Sequence, residues 1–375
     1  MKMIRLSKSV VGIEEANAVK EVLLEDGYLG MGKYVEKFES KISDFLELKD
    51  NKVVCVNSGT AALHLAVQSI ISDKKNEILV PSLTYLSSFQ AITAAGAIPI
   101  ACDVNEDSMI IDLEDAERRI NEKTAAVMPV WYASNPFNYE NIYKFARKFN
   151  VRVIEDAAHA FGCEMNNSKI GSMGDIICFS FDGIKNITSG EGGAIVTSDN
   201  YVLDYCKDAR LLGVKKDTEK RFKGKRSWDF QVDNQGYRFH MSNIFASIGI
   251  IQIKKLKEKF AKKRIKLKNL YLKHLINTAG IKIQLCEKNS LIIPHIFPIR
   301  ILNGKRDYIK MILNKNNIQT GIHYKPNHFL KKFKTNYKLP VTEKLYTEII
   351  TLPLHPEMSY DQVKYICNLI KKNLK

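Results

Sequence analysis

The stretch FSFDGIKNITSGEGG, residues 179–193, places one lysine between apolar residues and a flexible, glycine-rich turn. Lysine amines are normally solvated, but Lys185 is crowded by Phe179, Phe181 and Ile184. Two interpretations are therefore open. Lys185 is either a strand-end residue whose amine extends to water, or a desolvated amine that acts as a nucleophile.

Further polar groups occur where strands are expected to end. Asp156 ends the apolar run VRVIED. The segment NSGTAA at 57–62 follows the apolar run 52–56 and begins a helical pattern. Gly59 and Thr60 would then offer free backbone N–H groups to an anion such as phosphate. Each feature taken alone also fits an ordinary helix cap.

Together these groups indicate pyridoxal 5′-phosphate (PLP) chemistry. A lysine amine forms a Schiff base with the PLP aldehyde, and a carboxylate keeps the pyridine nitrogen protonated so that the ring withdraws electrons. Lys185 and Asp156 are suited to these two roles, and Ser180 can bond a phosphate beside the helix start. Tyr85 can stack on the ring, although an aromatic residue on a helix face is also commonly a core residue.

The elements that must position these residues follow an α/β pattern. Apolar runs alternate with helical segments, which predicts a sheet that is buried on both faces and binds ligands at the carboxyl ends of its strands. After about residue 245 a long lysine-rich helix, 244–277, leads to shorter units. We predict a large α/β domain over 1–245 and a smaller α+β domain over 246–375, on which the extreme N-terminus can pack. The apolar runs are 52–56, 77–80, 98–104, 125–130, 151–156, 175–182 and 192–198.

Over nearly its whole length the chain resembles the DegT/StrS family of PLP-dependent sugar aminotransferases. The resemblance implies fold type I, with a mostly parallel central sheet. It implies that the roles toward PLP given above belong to Lys185, Asp156, Gly59, Thr60, Ser180 and Tyr85. It also places His159 near the phenolic oxygen of the cofactor, where a hydrogen-bonded core histidine is the alternative. The stretches that carry it are LGMGKYVEKFE (29–39), NSGTAALHLA (57–66), VPSLTYLSSFQAI (80–92), VIEDAAHAFG (153–162), FSFDGIKNITSGEGG (179–193) and GYRFHMSNIFASIG (236–249).

Two segments depart from the family's pattern. Many relatives read Gly-Tyr-Asn-Tyr-Arg-Met-Ser, in which the Asn reaches the cofactor phosphate of the partner subunit. This chain reads GYRFHMS, with Arg238 and His240 in place of the Asn and the Arg. Because an arginine donates charge-assisted hydrogen bonds to phosphate, we expect Arg238 to make that contact across a homodimer interface. Trp131 stands where relatives often have a histidine, so no role carries over to that position.

The sugar-binding residues are expected in two further segments. TGIHYKPNH, residues 320–328, corresponds to the family's segment near the sugar, and a solvated connection is the alternative. The basic stretch 215–226, with Lys225 and Arg226, is predicted to be a loop and is expected to meet the nucleotide diphosphate. The candidates in the first segment for contacts to a hydroxyl or the diphosphate are His323, Tyr324, Lys325 and His328.

Composition restricts the class of protein. The 375 residues, 45% hydrophobic and 26% charged, suit a globular protein of two domains. We expect a cytoplasmic protein, because no apolar run is long enough for a membrane span and no secretory signal is visible. The seven scattered cysteines, an odd number with no C-x-x-C pair, also argue against a full disulfide framework. We expect no metal ligands. The net charge of +16 fits solvated lysine faces or attraction of an anionic substrate, and no nucleic-acid motif accompanies it.

The resemblance implies transfer of an amino group from L-glutamate to a nucleotide-linked keto-6-deoxy sugar. KNITSGEGG looks more like members that act at C4, which would give a 4-amino-4,6-dideoxyhexose for a surface polysaccharide or glycan. The alternatives are a C3-specific aminotransferase, a PLP-dependent sugar dehydratase and a non-catalytic regulator. A dehydratase would carry histidine in place of Lys185, and a regulator would be expected to lack Lys185 or Asp156, yet both residues are present.

Overall fold

A seven-stranded sheet forms the centre of the computed structural model, which describes residues 3–50 and 52–374. The strands of the described residues are β1 (Val53–Val56), β2 (Glu77–Pro81), β3 (Ile98–Cys102), β4 (Thr124–Val127), β5 (Arg152–Asp156), β6 (Glu164–Met165), β7 (Ser168–Lys169), β8 (Ile176–Ser180), β9 (Gly193–Thr197), β10 (Ile281–Ile283), β11 (Ser290–Leu291), β12 (Phe297–Ile301) and β13 (Ile349–Leu352). The central sheet has the order β1-β9-β8-β5-β4-β2-β3. Only β9 runs against its neighbours, so the other six strands point the same way.

Helices cover both faces of this sheet. Successive residues of β1 alternate between two apolar clusters, with Val53 and Cys55 in one and Val54 and Val56 in the other. This two-sided burial confirms the predicted α/β class. The helices are α1 (Ile13–Glu21), α2 (Lys33–Leu46), α3 (Gly59–Gln68), α4 (Leu86–Ala94), α5 (Leu113–Arg119), α6 (Tyr139–Phe149), α7 (Asn200–Ala209), α8 (Asp217–Phe222), α9 (Asn243–Lys255), α10 (Ala261–Leu275), α11 (Arg306–Lys315), α12 (Pro340–Glu348) and α13 (Tyr360–Leu374).

The C-terminal part has a core of its own. An antiparallel sheet of order β10-β12-β13 packs with α10, α11 and α13 around a third apolar cluster. Ile4 belongs to this cluster and pairs with Ile318, so the start of the described chain packs on the C-terminal part. The predicted boundary at 245/246 stays a prediction, and α9, which follows it, packs mainly on α1 and α2.

Local structure differs from the sequence prediction in two places. The long lysine-rich helix is divided, because a π-helical turn at Leu256–Phe260 separates α9 from α10. The basic stretch 215–226 is not entirely loop, since α8 lies within it and an ion pair between Arg221 and Asp217 supports that helix. Within residues 3–50 and 52–374, no helix combines the length and the apolar character that crossing a bilayer requires.

Candidate active site

A cavity of about 430 Å³ opens at the edge of the sheet where the parallel strands end. Three candidate groups meet there: the start of α3, Asp156 and Ser180. They do so because β1 leads into α3, β5 ends at Asp156 and β8 ends at Ser180. The order of the parallel strands therefore brings together residues that are far apart in sequence. The sequence-predicted residues that line the cavity are Gly59, Thr60, Tyr85, Asp156, His159, Ser180, Lys185, His323 and Tyr324.

Lys185 lies in the turn that follows β8. Its backbone N–H donates to the Asp182 carbonyl at 3.1 Å, and the Asp182 carboxylate accepts the N–H of Ile184 at 3.2 Å. Burial lowers the pKa of the Lys185 amine, while the charges of Asp156 and Asp182 act in the opposite direction. The neutral, nucleophilic form of the amine is thus more accessible than in a solvated lysine.

The Asp156 carboxylate is buried and is held by a short chain of hydroxyl groups. Ser88 Oγ lies 2.7 Å from Asp156 Oδ2 and 2.9 Å from Thr84 Oγ1. Since an ionised carboxylate can only accept, Ser88 donates to Asp156 and Thr84 donates to Ser88. The Ala158 N–H donates to Asp156 Oδ1 at 3.2 Å. Burial raises the pKa of Asp156, and the bond from Ser88, the Ala158 N–H and the charge of Lys185 oppose that rise.

The start of α3 forms a cradle of backbone N–H groups beside β8. Ser58 caps this helix by accepting the Ala61 N–H at 3.1 Å, which leaves the first N–H groups free to face the cavity. A Cβ placed on Gly59 would come within 2.7 Å of Ser180 Cβ, so glycine allows this close approach. A helix start with a neighbouring hydroxyl suits phosphate, and Asp156 and Lys185 suit the ring nitrogen and the aldehyde, so these residues fit PLP.

Two histidines stand side by side in the cavity. The rings of His159 and His295 are 4.5 Å apart, and the Nδ1 atom of each is buried without a hydrogen-bond partner among the described residues. His159 Nε2 bonds the Tyr324 hydroxyl at 3.1 Å. Burial and the charge of Lys185 lower the pKa of both imidazoles well below its usual value. Both rings are therefore neutral near pH 7 and free to bond a ligand.

Sequence analysis missed His295 and Ser88. The only local sign of His295 was a polar residue in the apolar run before β12, and nothing in that run indicates the cavity. Ser88 lies on α4 within a family-like stretch, but its bond to Asp156 depends on the packing of that helix. Tyr85 is 60% exposed and directly precedes α4, so it is not a core residue.

Five predicted residues do not line this cavity. Lys225, Arg226, Arg238 and Lys325 have exposed side chains outside it. His328 is buried, and its Nδ1 lies 2.7 Å from the Ser82 hydroxyl. Trp131, the departure from the family's pattern, is fully buried, and its indole N–H donates to Glu155 at 2.8 Å.

Comparisons with known proteins agree with this geometry. The model of the DegT/DnrJ/EryC1/StrS aminotransferase family matches residues 10–371. The chain is 32% identical to GDP-perosamine synthase of Escherichia coli O157:H7, with 99% of each chain covered.

Two solved structures are similar in fold. One is Helicobacter pylori PseC, an aminotransferase involved in the biosynthesis of pseudoaminic acid, with a TM-score of 0.91, 26% identity and coverage of 100% of this chain and 99% of that one. The other is the PLP form of a putative sugar aminotransferase from Streptococcus pneumoniae, with a TM-score of 0.88, 26% identity and coverage of 99% and 98%.

The family match spans nearly the whole chain, and the cavity at the sheet edge offers the groups that PLP requires. The chain therefore belongs to the DegT/DnrJ/EryC1/StrS family and is a PLP-dependent sugar aminotransferase.

Proposed function

We propose that this enzyme transfers the amino group of L-glutamate to the C4 keto group of a nucleotide-linked 4-keto-6-deoxy sugar. The observation that carries the proposal is the convergence of the Lys185 amine, the Asp156 carboxylate and the start of α3 in one cavity. The relative from Escherichia coli supports a nucleotide-linked substrate, because by its name it makes an amino sugar carried on GDP. The preference for C4 rests on the family-like stretch KNITSGEGG.

PLP, when bound, supplies an aldehyde that condenses with amines and a ring that withdraws electrons from the adjacent carbon. Lys185 would hold that aldehyde, and Asp156 would keep the ring nitrogen protonated. Gly59, Thr60 and Ser180 are assigned to the phosphate. Tyr85 is assigned to the face of the ring and His159 to its phenolic oxygen.

With the cofactor bound, the Lys185 amine would be placed to move a proton. It would accept the proton of the donor's α-carbon and later release it, and it would act in the reverse direction with the sugar. Burial supports this role, because it lowers the pKa of the amine toward the range in which one group can both accept and release a proton.

The sugar is proposed to enter beside His323 and Tyr324. His323 Nδ1 lies 2.8 Å from Thr351 Oγ1, which fixes the ring. The Tyr324 ring stands 5.6 Å from that of Tyr85. Lys325 and Arg226 are exposed, so we assign them at most to the nucleotide diphosphate. For His328 the bond to Ser82 supports a structural role.

We also propose that a second copy of the chain completes the site. Arg238 is exposed and lies outside the cavity of its own chain, as a residue that serves the partner's phosphate must. In the chain segment before it, Trp228, Phe230 and Val232 are 86%, 51% and 50% exposed. These three apolar side chains stand at alternate positions, and a second copy would cover them.

The substrate proposal is tested with purified holoenzyme, L-glutamate and a panel of GDP-, dTDP- and UDP-linked 4-keto-6-deoxy and 3-keto-6-deoxy sugars. NMR of the product locates the new amine. Amination at C4 of one of these sugars is expected, with Lys185→Ala inactive. Amination at C3, or none with any sugar in the panel, would overturn the assignment.

The dimer proposal is tested by mixing two inactive variants, Lys185→Ala and Arg238→Ala. If Arg238 serves the partner's site, hybrid dimers contain one intact site and regain activity, whereas each variant alone stays inactive. Unchanged PLP retention in Arg238→Ala would remove this role. Light scattering of the wild type reports the oligomeric state directly.

A further inference from the structure

Arg264 is unusual among the buried arginines of the described chain. Arg264 is only 2% exposed, yet no carboxylate of the described residues forms an ion pair with it. Burial lowers the pKa of its guanidinium to about 10. An unpaired buried charge is costly, which suggests that something other than stability keeps it there. The other buried arginines each have a carboxylate partner: Arg210 with Glu39, Arg300 with Glu106 and Glu348, and Arg306 with Asp307.

The guanidinium bonds backbone carbonyls instead. Nη1 of Arg264 donates to the carbonyls of Pro294 at 3.1 Å and His295 at 3.4 Å, and Nη2 donates to the carbonyl of Lys185 at 3.4 Å. Its Nε atom is buried without a partner. One side chain on α10 therefore ties the turn that carries Lys185 to the segment that carries His295.

Neighbouring hydrogen bonds also hold the Lys185 turn and the His295 segment in place. The Asn186 amide donates to the carbonyl of Ile293 at 3.0 Å and to that of Phe161 at 3.2 Å. The His295 N–H donates to Ser134 Oγ at 2.9 Å. Arg264 itself does not line the cavity of about 430 Å³, so it acts from behind Lys185 and His295 rather than on the substrate.

We propose that Arg264 is a positioning residue for the transamination: it fixes the backbone of Lys185 and His295, and its uncompensated charge favours the neutral Lys185 nitrogen. This inference rests on the proposed role of Lys185. Arg264 donates to the Lys185 carbonyl at 3.4 Å, and a positive charge disfavours a second one nearby. On this proposal the guanidinium opposes the carboxylates of Asp156 and Asp182, which favour the ammonium form. Among the described residues, the other charged or titratable groups around Lys185 and Arg264 are Lys8, Tyr85, Asp156, His159, Asp182, Glu191, His295, His323, Tyr324 and His355.

The test separates geometry from charge with two variants of the holoenzyme. Arg264→Lys keeps the charge and loses the planar fork, whereas Arg264→Gln keeps hydrogen-bond donors and loses the charge. Lys266→Gln is the matched control, since it removes an exposed charge from the same helix. Two quantities are measured: the rate of the half-reaction with L-glutamate alone, and the pH midpoint at which the Lys185 nitrogen joined to the cofactor loses its proton, read from the visible absorption band.

Both Arg264 variants are expected to slow the half-reaction by about 10-fold or more, with the KM for glutamate within about twofold of wild type, because misplacement of a reacting group affects the rate more than binding. In Arg264→Gln the pH midpoint is expected to rise by roughly half a unit or more, and in Arg264→Lys to stay in place. The control should match wild type in both measurements.

A wild-type rate in Arg264→Lys overturns the positioning role, and an unshifted midpoint in Arg264→Gln overturns the electrostatic one. If Arg264→Gln does not fold, the rate of Arg264→Lys, the milder change, still decides the positioning role. Neither readout involves the sugar, so an incorrect sugar assignment would leave both interpretable. Loss of the visible band in Lys185→Ala verifies separately that the titrating nitrogen is that of Lys185.

Discussion

Replacing Ser88 with alanine tests how the chain controls Asp156. The Ser88 hydroxyl is a side-chain donor to this buried carboxylate, at 2.7 Å, and it is itself supported by Thr84. In Ser88→Ala the carboxylate keeps the Ala158 N–H at 3.2 Å but loses the shorter bond. The burial that raises the Asp156 pKa is then opposed less strongly, so the pKa rises further.

The size of the effect follows from the type of bond. A hydrogen bond to a charged group contributes about 1.5–3 kcal/mol. If the loss appears wholly in cofactor binding, the Kd for PLP rises by about 10- to 100-fold, at about 1.4 kcal/mol per factor of ten. The increase should be larger at pH 6 than at pH 8, because a carboxyl with a raised pKa is more often protonated at the lower pH and then cannot pair with a protonated ring nitrogen.

The assay is titration of the apoprotein with PLP, followed by visible absorption at both pH values. Thr93→Ala is the matched control, since Thr93 Oγ1 on the same helix bonds the carbonyls of Phe89 at 3.3 Å and Gln90 at 3.2 Å, away from Asp156. A Kd for Ser88→Ala within about twofold of wild type at both pH values would refute the reasoning. An equal increase at the two pH values would show that Ser88 fixes the position of the Asp156 carboxylate and does not control its charge.

Two further predictions concern stability. Glu39→Gln leaves the fully buried Arg210 without its counter-charge and should lower the free energy of unfolding by about 3–5 kcal/mol. Asp44→Asn, at an exposed ion pair on the same helix, is the control and should change it by less than about 1 kcal/mol. Chemical denaturation measures both. Burial raises the pKa of Glu155 from 4.5 to about 7. Between these two pH values the folded state holds a proton that the unfolded chain has released. The free energy of unfolding should therefore fall by about 3 kcal/mol as pH rises from 4.5 to 7. Glu155→Gln should flatten that dependence, and an unchanged slope in denaturation curves from pH 4.5 to pH 7.5 would contradict the assignment.

The sequence alone determined the fold class and the family. Runs such as VVCV, residues 53–56, are apolar at four successive positions, a local pattern that indicates a strand buried on both faces, and the structure confirms it. Residues at strand ends, such as Asp156, were also predictable as site candidates, because parallel strands place their carboxyl ends at one edge. Their convergence in one cavity agrees with that reasoning, and their individual roles stay predictions.

The tertiary structure decided which distant residues support that edge. Arg264 lies on a helix whose lysine-rich pattern indicates only a solvated face, yet it bonds the carbonyls of Lys185 and His295. His295 lies in an apolar run, yet its ring stands beside that of His159 in the cavity. It also decided that His328 bonds the Ser82 hydroxyl and that Arg238 is exposed outside the cavity of its own chain. Periodicity records which side of an element is buried, but it carries no information on which partner, many residues away, packing will bring against that side.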